Sequence, residues 1–305
     1  MKHKKIGLLF AGQGVQQVGM GLDFYNNYPI AREIYDAVDP LIKEVCFNGP
    51  KEKLDDTKYT QSALLTTSVA IAKVIQSLEI EIEAVAGLSL GEYSALTVAN
   101  VLSLEDALYV VNQRANLMSQ ALENSESSMM AVMNASIETI QEVCMKSSMV
   151  GVCEIANINS RNQIVITGHI KALEIAKEML LSEKGVRVIP LNVSGAFHSS
   201  LLKEAAKQLE SVLSPIVMNQ VSYPVVFNVS GQVENNNIKE LLVKQIKSTV
   251  LFQQSLQHMI DLGINVFVEI SPKPTLCGFV RKIDPSIACY CISDVDSLKQ
   301  LREVL

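Results

Sequence analysis

Along the first third of the chain, short unbroken apolar runs alternate with longer stretches whose apolar residues recur at helical spacing. Residues 6–11 form the first run, ended by the turn Gly12-Gln13-Gly14. In residues 62–80, Leu64, Leu65, Val69, Ala72, Val74, Ile75 and Leu78 fall on a helical repeat and predict a helix. Residues 85–88 are a second apolar run. Ser103 and Asp106 have the spacing of a capping box, with aspartate in the usual glutamate position, and predict a helix over 104–122. Such alternation of strand and helix marks a mainly parallel α/β sheet.

The pattern changes at residues 123–128, which are polar, serine-rich and linker-like. Beyond them the chain predicts strand 129–133, helix 137–146, strands 152–157 and 163–167, helix 171–182 and strand 186–191. That order, β-α-β-β-α-β, is the ferredoxin-like unit. The expected fold is therefore α/β in two parts. A large α/β-hydrolase-like unit with a mainly parallel sheet spans 1–123 and 192–305, and a small ferredoxin-like unit is inserted at 124–191. In the resumed part, strands are expected at 225–228 and 264–270, helices around 238–248 and 252–262, and a helix after Pro274.

Composition narrows the classes of function. At 305 residues and 48% hydrophobic, the chain can bury a substantial core and is not a disordered segment. The net charge is −6 and the basic residues cluster only at Lys2-His3-Lys4-Lys5, which argues against nucleic acid as a partner and reads as a solvated tail. No run is long enough to span a membrane. The six cysteines lack C-x-x-C spacing and are expected to be reduced thiols of a cytoplasmic protein.

Gly87-Leu88-Ser89-Leu90-Gly91 closes the second apolar run and precedes a helix-like stretch. A serine on such a strand-to-helix turn has its hydroxyl exposed at the carboxyl end of a sheet, beside amides suited to an oxyanion. A plain glycine-flanked turn is the alternative reading. A serine nucleophile needs a base. Of four histidines, His3 is in the tail, His169 ends a strand and His258 lies within a helical pattern. His198 stands in a small-residue loop, either as the base or as a surface turn residue. Arg114 borders the buried stripe of the helix over 104–122, where a guanidinium calls for an anion: an acidic side chain, or a substrate carboxylate held in two-pronged fashion. Gln13 follows the first strand, where its amide could complete an oxyanion hole.

Several segments together resemble the malonyl-CoA:acyl carrier protein transacylases. Gly12-Gln13-Gly14-Val15-Gln16 is similar to their G-Q-G-x-Q, Thr60-Gln61-Ser62-Ala63-Leu64 to T-Q-P-A-L, and the segment from Gly87 to Glu92 to G-H-S-L-G-E. Gln113-Arg114, Ala156-Asn157-Ile158-Asn159 and Gly195-Ala196-Phe197-His198-Ser199 resemble Q-R, A-N-x-N and G-A-F-H-S. Glu269-Ile270-Ser271-Pro272-Lys273 and Leu276-Cys277-Gly278-Phe279-Val280 resemble the closing E-I-G-P-G and L-x-G-L-V.

The resemblance implies Ser89 as nucleophile, His198 as base, the amides of Gln13 and Leu90 as oxyanion hole, and Arg114 as ligand of the malonyl carboxylate. It implies that Phe197, Gln61 and Asn157 contact substrate, and that the backbone carbonyl of Gln245 orients the histidine. No metal or cofactor is expected. The expected partners are malonyl-CoA and the phosphopantetheine arm of an acyl carrier protein or of polyketide synthase carrier domains, with no nucleic acid and no membrane, and the enzyme acting as a monomer. Three positions depart from the family: Leu88 for histidine, and Thr249 and Phe252 for proline and tryptophan. Leu88 resembles the free-standing acyltransferases that serve polyketide synthases in trans. A housekeeping transacylase of fatty-acid synthesis, an editing hydrolase of the same fold and a non-catalytic docking module are the alternatives.

Overall fold

Two strands whose every residue is buried set the architecture. In the computed structural model, which describes residues 4–305, β1 (Ile6–Phe10) and β8 (Val266–Ile270) lie side by side at the centre of a parallel sheet. Continuous apolar runs of this kind belong to strands covered on both faces. In chain order the elements are β1, α1 (Leu22–Asn27), α2 (Pro29–Asp36), α3 (Pro40–Asn48), α4 (Lys51–Asp55), α5 (Thr57–Ser77), β2 (Ile82–Gly87), α6 (Leu90–Val98) and α7 (Leu104–Leu122). There follow β3 (Ser127–Met133), α8 (Ile137–Ser147), β4 (Cys153–Ser160), β5 (Gln163–His169), α9 (Ile170–Leu181) and β6 (Arg187–Pro190). The rest comprises α10 (Lys203–Leu213), β7 (Val225–Val226), α11 (Ile238–Gln245), α12 (Phe252–Asp261), β8, α13 (Leu276–Ile283), β9 (Ala288–Ile292) and α14 (Val295–Val304).

The large sheet has the order β7-β2-β1-β8-β9 with every pair parallel, and the small sheet has the order β4-β5-β3-β6 with every pair antiparallel. This is the α/β fold with an inserted ferredoxin-like unit that the pattern predicts. The central strands β3 and β5 of the small sheet are covered on both faces, whereas the edge strand β6 is largely exposed. Met130 and Val132 pack with the cluster under α8 and α9, whereas Met129 and Ala131, on the opposite face of β3, join the large core. A polar backbone seam, Val250 N–H to Ala156 O and Ile158 N–H to Val250 O, ties β4 to the large part.

Several expectations need correction. The helix over 62–80 begins at Thr57, because Asp56 caps it by accepting from Lys58 N–H. The expected strand 225–228 is only two residues long, and the linker-like stretch gives Ser127 and Ser128 to β3. Ser103 does cap α7, accepting from Asp106 N–H, but the Asp106 carboxylate takes the Ser103 hydroxyl and no reciprocal box forms. Not all cysteines are free: Cys277 on α13 and Cys289 on β9 form a disulfide, because the helix packs across the strand and brings their Cα atoms to 5.4 Å. Lys2 and His3 of the expected tail lie outside the described residues. Among the described residues no helix is long and apolar enough to cross a membrane.

Candidate active site

The parallel pairing of β1 with β2 aligns Phe10 with Gly87, so the turns that follow the two strands adjoin. Gly12-Gln13 follows one strand and Leu88-Ser89 the other, and Leu88 N–H donates to Phe10 O. The close approach explains two glycines. A Cβ on Gly87 would lie 1.9 Å from the backbone of Gly91, and one on Gly91 would lie 2.1 Å from Phe10 O. Ser89 itself stands at φ 54°, ψ −103°, off the ordinary regions for an L-residue, as the sharp turn requires. Such strain costs on the order of 1–3 kcal/mol and persists only where surrounding bonds enforce it.

The turn directs Ser89 Oγ to His198 Nε2, 2.7 Å away. His198 is buried, and its Nδ1 lies 2.9 Å from the backbone oxygen of Gln245. A carbonyl can only accept, so Nδ1 carries the proton and Nε2 is left to accept from the serine hydroxyl. Burial, then the nearby charge of Arg114, lower the His198 pKa to about 4 against the opposing pull of the Gln245 carbonyl. The imidazole is therefore neutral at physiological pH, the form a base needs.

Arg114 is not at a border. It is 1% exposed, because α7 packs against α5 on one side and α10 on another. Its Nη1 donates to Gln61 Oε1 at 2.8 Å, and its Nη2 donates to Ser89 Oγ at 3.1 Å and to Gln245 Oε1 at 3.2 Å. Nε has no partner among the described residues, and none of their ion pairs involves Arg114. The acidic side chain offered as one explanation of this arginine is thus not paired with it. The Arg114 Cζ lies 5.4 Å from the Tyr93 ring centroid, and the nearby Glu92 carboxyl is pushed toward its neutral form by burial, up to about 8. A buried guanidinium without a direct ion pair is a site for an anion.

These groups line one cavity of about 250 Å³ at the junction of the two sheets. Gln13, Gln61, Leu88, Leu90, Asn157 and Phe197 all reach it, so every expected site residue except Gln245 lies on its wall, and Gln245 contacts Ser89 and His198. The Gln13 side chain donates to Thr57 Oγ1. Neither Gln13 N–H nor Leu90 N–H enters a turn, loop or cap bond among the described residues. His169 is elsewhere, its Nδ1 accepting from Val152 N–H, and His258 lies on α12 outside the cavity.

The acyl transferase domain family matches residues 8–286. Malonyl CoA-acyl carrier protein transacylase of Bacillus subtilis (strain 168) is 38% identical over 302 residues, covering 97% of this chain and 95% of that one. The chain belongs to the malonyl CoA-acyl carrier protein transacylase family. Among solved members, the transacylase of Streptococcus pneumoniae superposes with a TM-score of 0.94 at 40% identity, covering 99% of this chain and all of that one. A malonyl-transacylase solved in complex with its type II PKS acyl-carrier protein gives 0.95 at 31% identity, covering 99% and 100%.

Within the family frame, the structure gives a place to residues for which the sequence reading named no role. Asn159 and Gln163 share the cavity wall with Asn157, and the Asn159 Oδ1 is buried without a partner. Glu269, buried beneath α13, accepts from the amides of Thr275, Leu276 and Cys277 and so fixes the helix end that presents Thr275 and Phe279 to the cavity. The available signals were its place in the closing Glu269-Ile270-Ser271-Pro272-Lys273 segment and near the end of a central strand.

Proposed function

We propose that the protein moves a malonyl group from malonyl-CoA to the phosphopantetheine thiol of an acyl carrier protein through a malonyl ester of Ser89. Ser89 Oγ attacks the thioester carbonyl while His198 Nε2 takes its proton. The amides of Gln13 and Leu90 hold the tetrahedral oxyanion, and the CoA thiolate leaves with the proton from His198. In the second half the pantetheine thiol attacks the ester, His198 takes the thiol proton, and the proton returns to Ser89 as the ester breaks. Every proton and electron pair is accounted for by these side chains, so the scheme calls on no metal or redox group. One chain supplies the full set, which favours action as a monomer, and both substrates are ones met in the cytoplasm.

The observation that carries this reading is the buried guanidinium of Arg114, in no direct ion pair among the described residues and 3.1 Å from the serine oxygen. Malonate brings the carboxylate that this guanidinium lacks, whereas an acetyl group leaves it unpaired, a costly state. The same charge argues against an editing hydrolase for uncharged acyl chains. Of possible carriers we favour a polyketide synthase served in trans, on the strength of Leu88, whose side chain cannot hydrogen-bond where the family has histidine. A carrier of fatty-acid synthesis is the alternative. Mass spectrometry after mixing with malonyl-CoA tests the chemistry: the wild type gains one malonyl group, and Ser89→Ala gains none. A stable adduct on the alanine variant would put the nucleophile elsewhere.

A further inference from the structure

Both backbone polar groups of Ser89 are held by side-chain amides that come from other parts of the chain. Its carbonyl accepts from Gln245 Nε2 at 2.8 Å, and its N–H donates to Asn228 Oδ1 at 2.7 Å. Asn228 follows β7, the neighbour of β2 in the sheet, and is fully buried. Its Nδ2 donates to Gly87 O at 2.7 Å, and its backbone N–H donates to Glu92 Oε2 at 2.6 Å. Its own carbonyl accepts from Leu251 N–H. One residue thus grips the serine turn at three points, Gly87, Ser89 and Glu92. The partners have fixed polarity, an N–H and a C=O, so only one orientation of the amide satisfies both.

From this we propose that Asn228, braced by Glu92, is a positioning residue that holds the Ser89 turn in its attacking conformation. Asn228 does not line the catalytic cavity and acts only through the turn. It engages the N–H of Ser89, while the next residue, Leu90, lines the cavity and its N–H enters no turn, loop or cap bond among the described residues. Without the clamp, the part-buried Ser89 N–H loses its acceptor, and the residue has no reason to keep a φ of 54°. Relaxation of that turn swings Oγ away from His198 Nε2 and moves the Leu90 amide with it. An aspartate cannot substitute, because its oxygen would face Gly87 O. Glu92 is buried and its second oxygen has no partner among the described residues, consistent with a group kept for bracing and not for solvation.

The inference rests on Ser89 being the acylated residue, and the test separates the two. Malonylation is followed in single turnovers by rapid quench and mass spectrometry across a series of malonyl-CoA concentrations. Asn228→Ala is expected to lower the maximal rate by on the order of 10²-fold, the usual effect of misplacing a reacting atom by about 1 Å. The half-saturating concentration should move less than about threefold, because Arg114 and the cavity wall are untouched. Rates are referred to the folded fraction measured by circular dichroism. Asn228→Asp gives the same loss and serves if the alanine variant does not fold. A full maximal rate in either folded variant overturns the inference, as does a loss confined to the half-saturating concentration. A wild type that forms no adduct instead defeats the reading of Ser89.

Discussion

Ser89 and His198 meet at 2.7 Å with both backbones in the left-handed half of conformational space, at φ 54° and 55°. Neither is glycine, so each pays steric strain that its neighbours must enforce. For Ser89 the enforcing bonds come from Asn228 and Gln245, and for His198 the ring is anchored to Gln245 O. Gln245 therefore touches Ser89, His198 and Arg114 at once.

The lowered pKa of His198 sets an acid limit. Catalysis needs the neutral ring, so kcat/KM should hold nearly level from about pH 8 down to about pH 5 as far as this group is concerned. It should fall as pH drops through about 4. The Arg114 charge contributes to the shift, so Arg114→Ala should move that limit upward. An acid limb of the wild type centred near 6.5 would contradict the account. His198→Ala should cost about 10²–10⁴-fold in both half-reactions, since the same ring serves each.

Glu92 gives a stability signature. Burial raises its carboxyl from 4.5 to about 8, so the folded state holds a proton that the unfolded state releases. Its contribution is full below pH 4.5 and is lost as pH rises through 8. His198 acts in the opposite sense, adding stability as pH rises from about 4 to 6.5. The two oppose each other at acid pH, and between pH 6.5 and 8 only Glu92 of this pair contributes. Melting temperatures of wild type and Glu92→Gln over that window should diverge in slope, with the wild type declining more. Parallel curves would show that Glu92 does not titrate there.

Carrier choice is open to direct competition. Leu88→His leaves nucleophile, base and oxyanion donors in place and should leave malonyl loading within a few-fold of wild type, about the spread of an ordinary surface change. Offered a modular polyketide synthase carrier and a fatty-acid carrier at equal concentration, the wild type should load the first faster. Equal or faster loading of the fatty-acid carrier would assign it to fatty-acid synthesis.

How much of this was legible beforehand depended on range. The serine turn, the start and end of α7 and the β-α-β-β-α-β order are local patterns, and the structure has them within a few residues. The helices between Leu22 and Asp55 are five to nine residues long, too short for a periodic signal, and were not foreseen. Helix α10, absent from the elements expected of the sequence, does have a readable stripe in Ala205, Ala206, Leu209 and Leu213. Arg114 looked like a border residue because one helix shows only its own stripe, and α5 and α10 cover the rest. Asn228 was invisible as a functional residue because its role depends on which strand neighbours β2, 139 positions away along the chain from Ser89 to Asn228. The Cys277–Cys289 bond likewise depends on a helix folding over a strand.

The central claim is that a buried guanidinium reads the second carboxylate of the donor. Its most direct measurement is kcat/KM for malonyl-CoA and acetyl-CoA in wild type and Arg114→Ala. Removing one partner of a buried charge pair should cost malonyl-CoA roughly 2–5 kcal/mol of transition-state binding. Acetyl-CoA has no carboxylate to lose, so its rate should fall far less and the preference should collapse or reverse. Equal losses for the two thioesters would make Arg114 a structural residue and contradict the account.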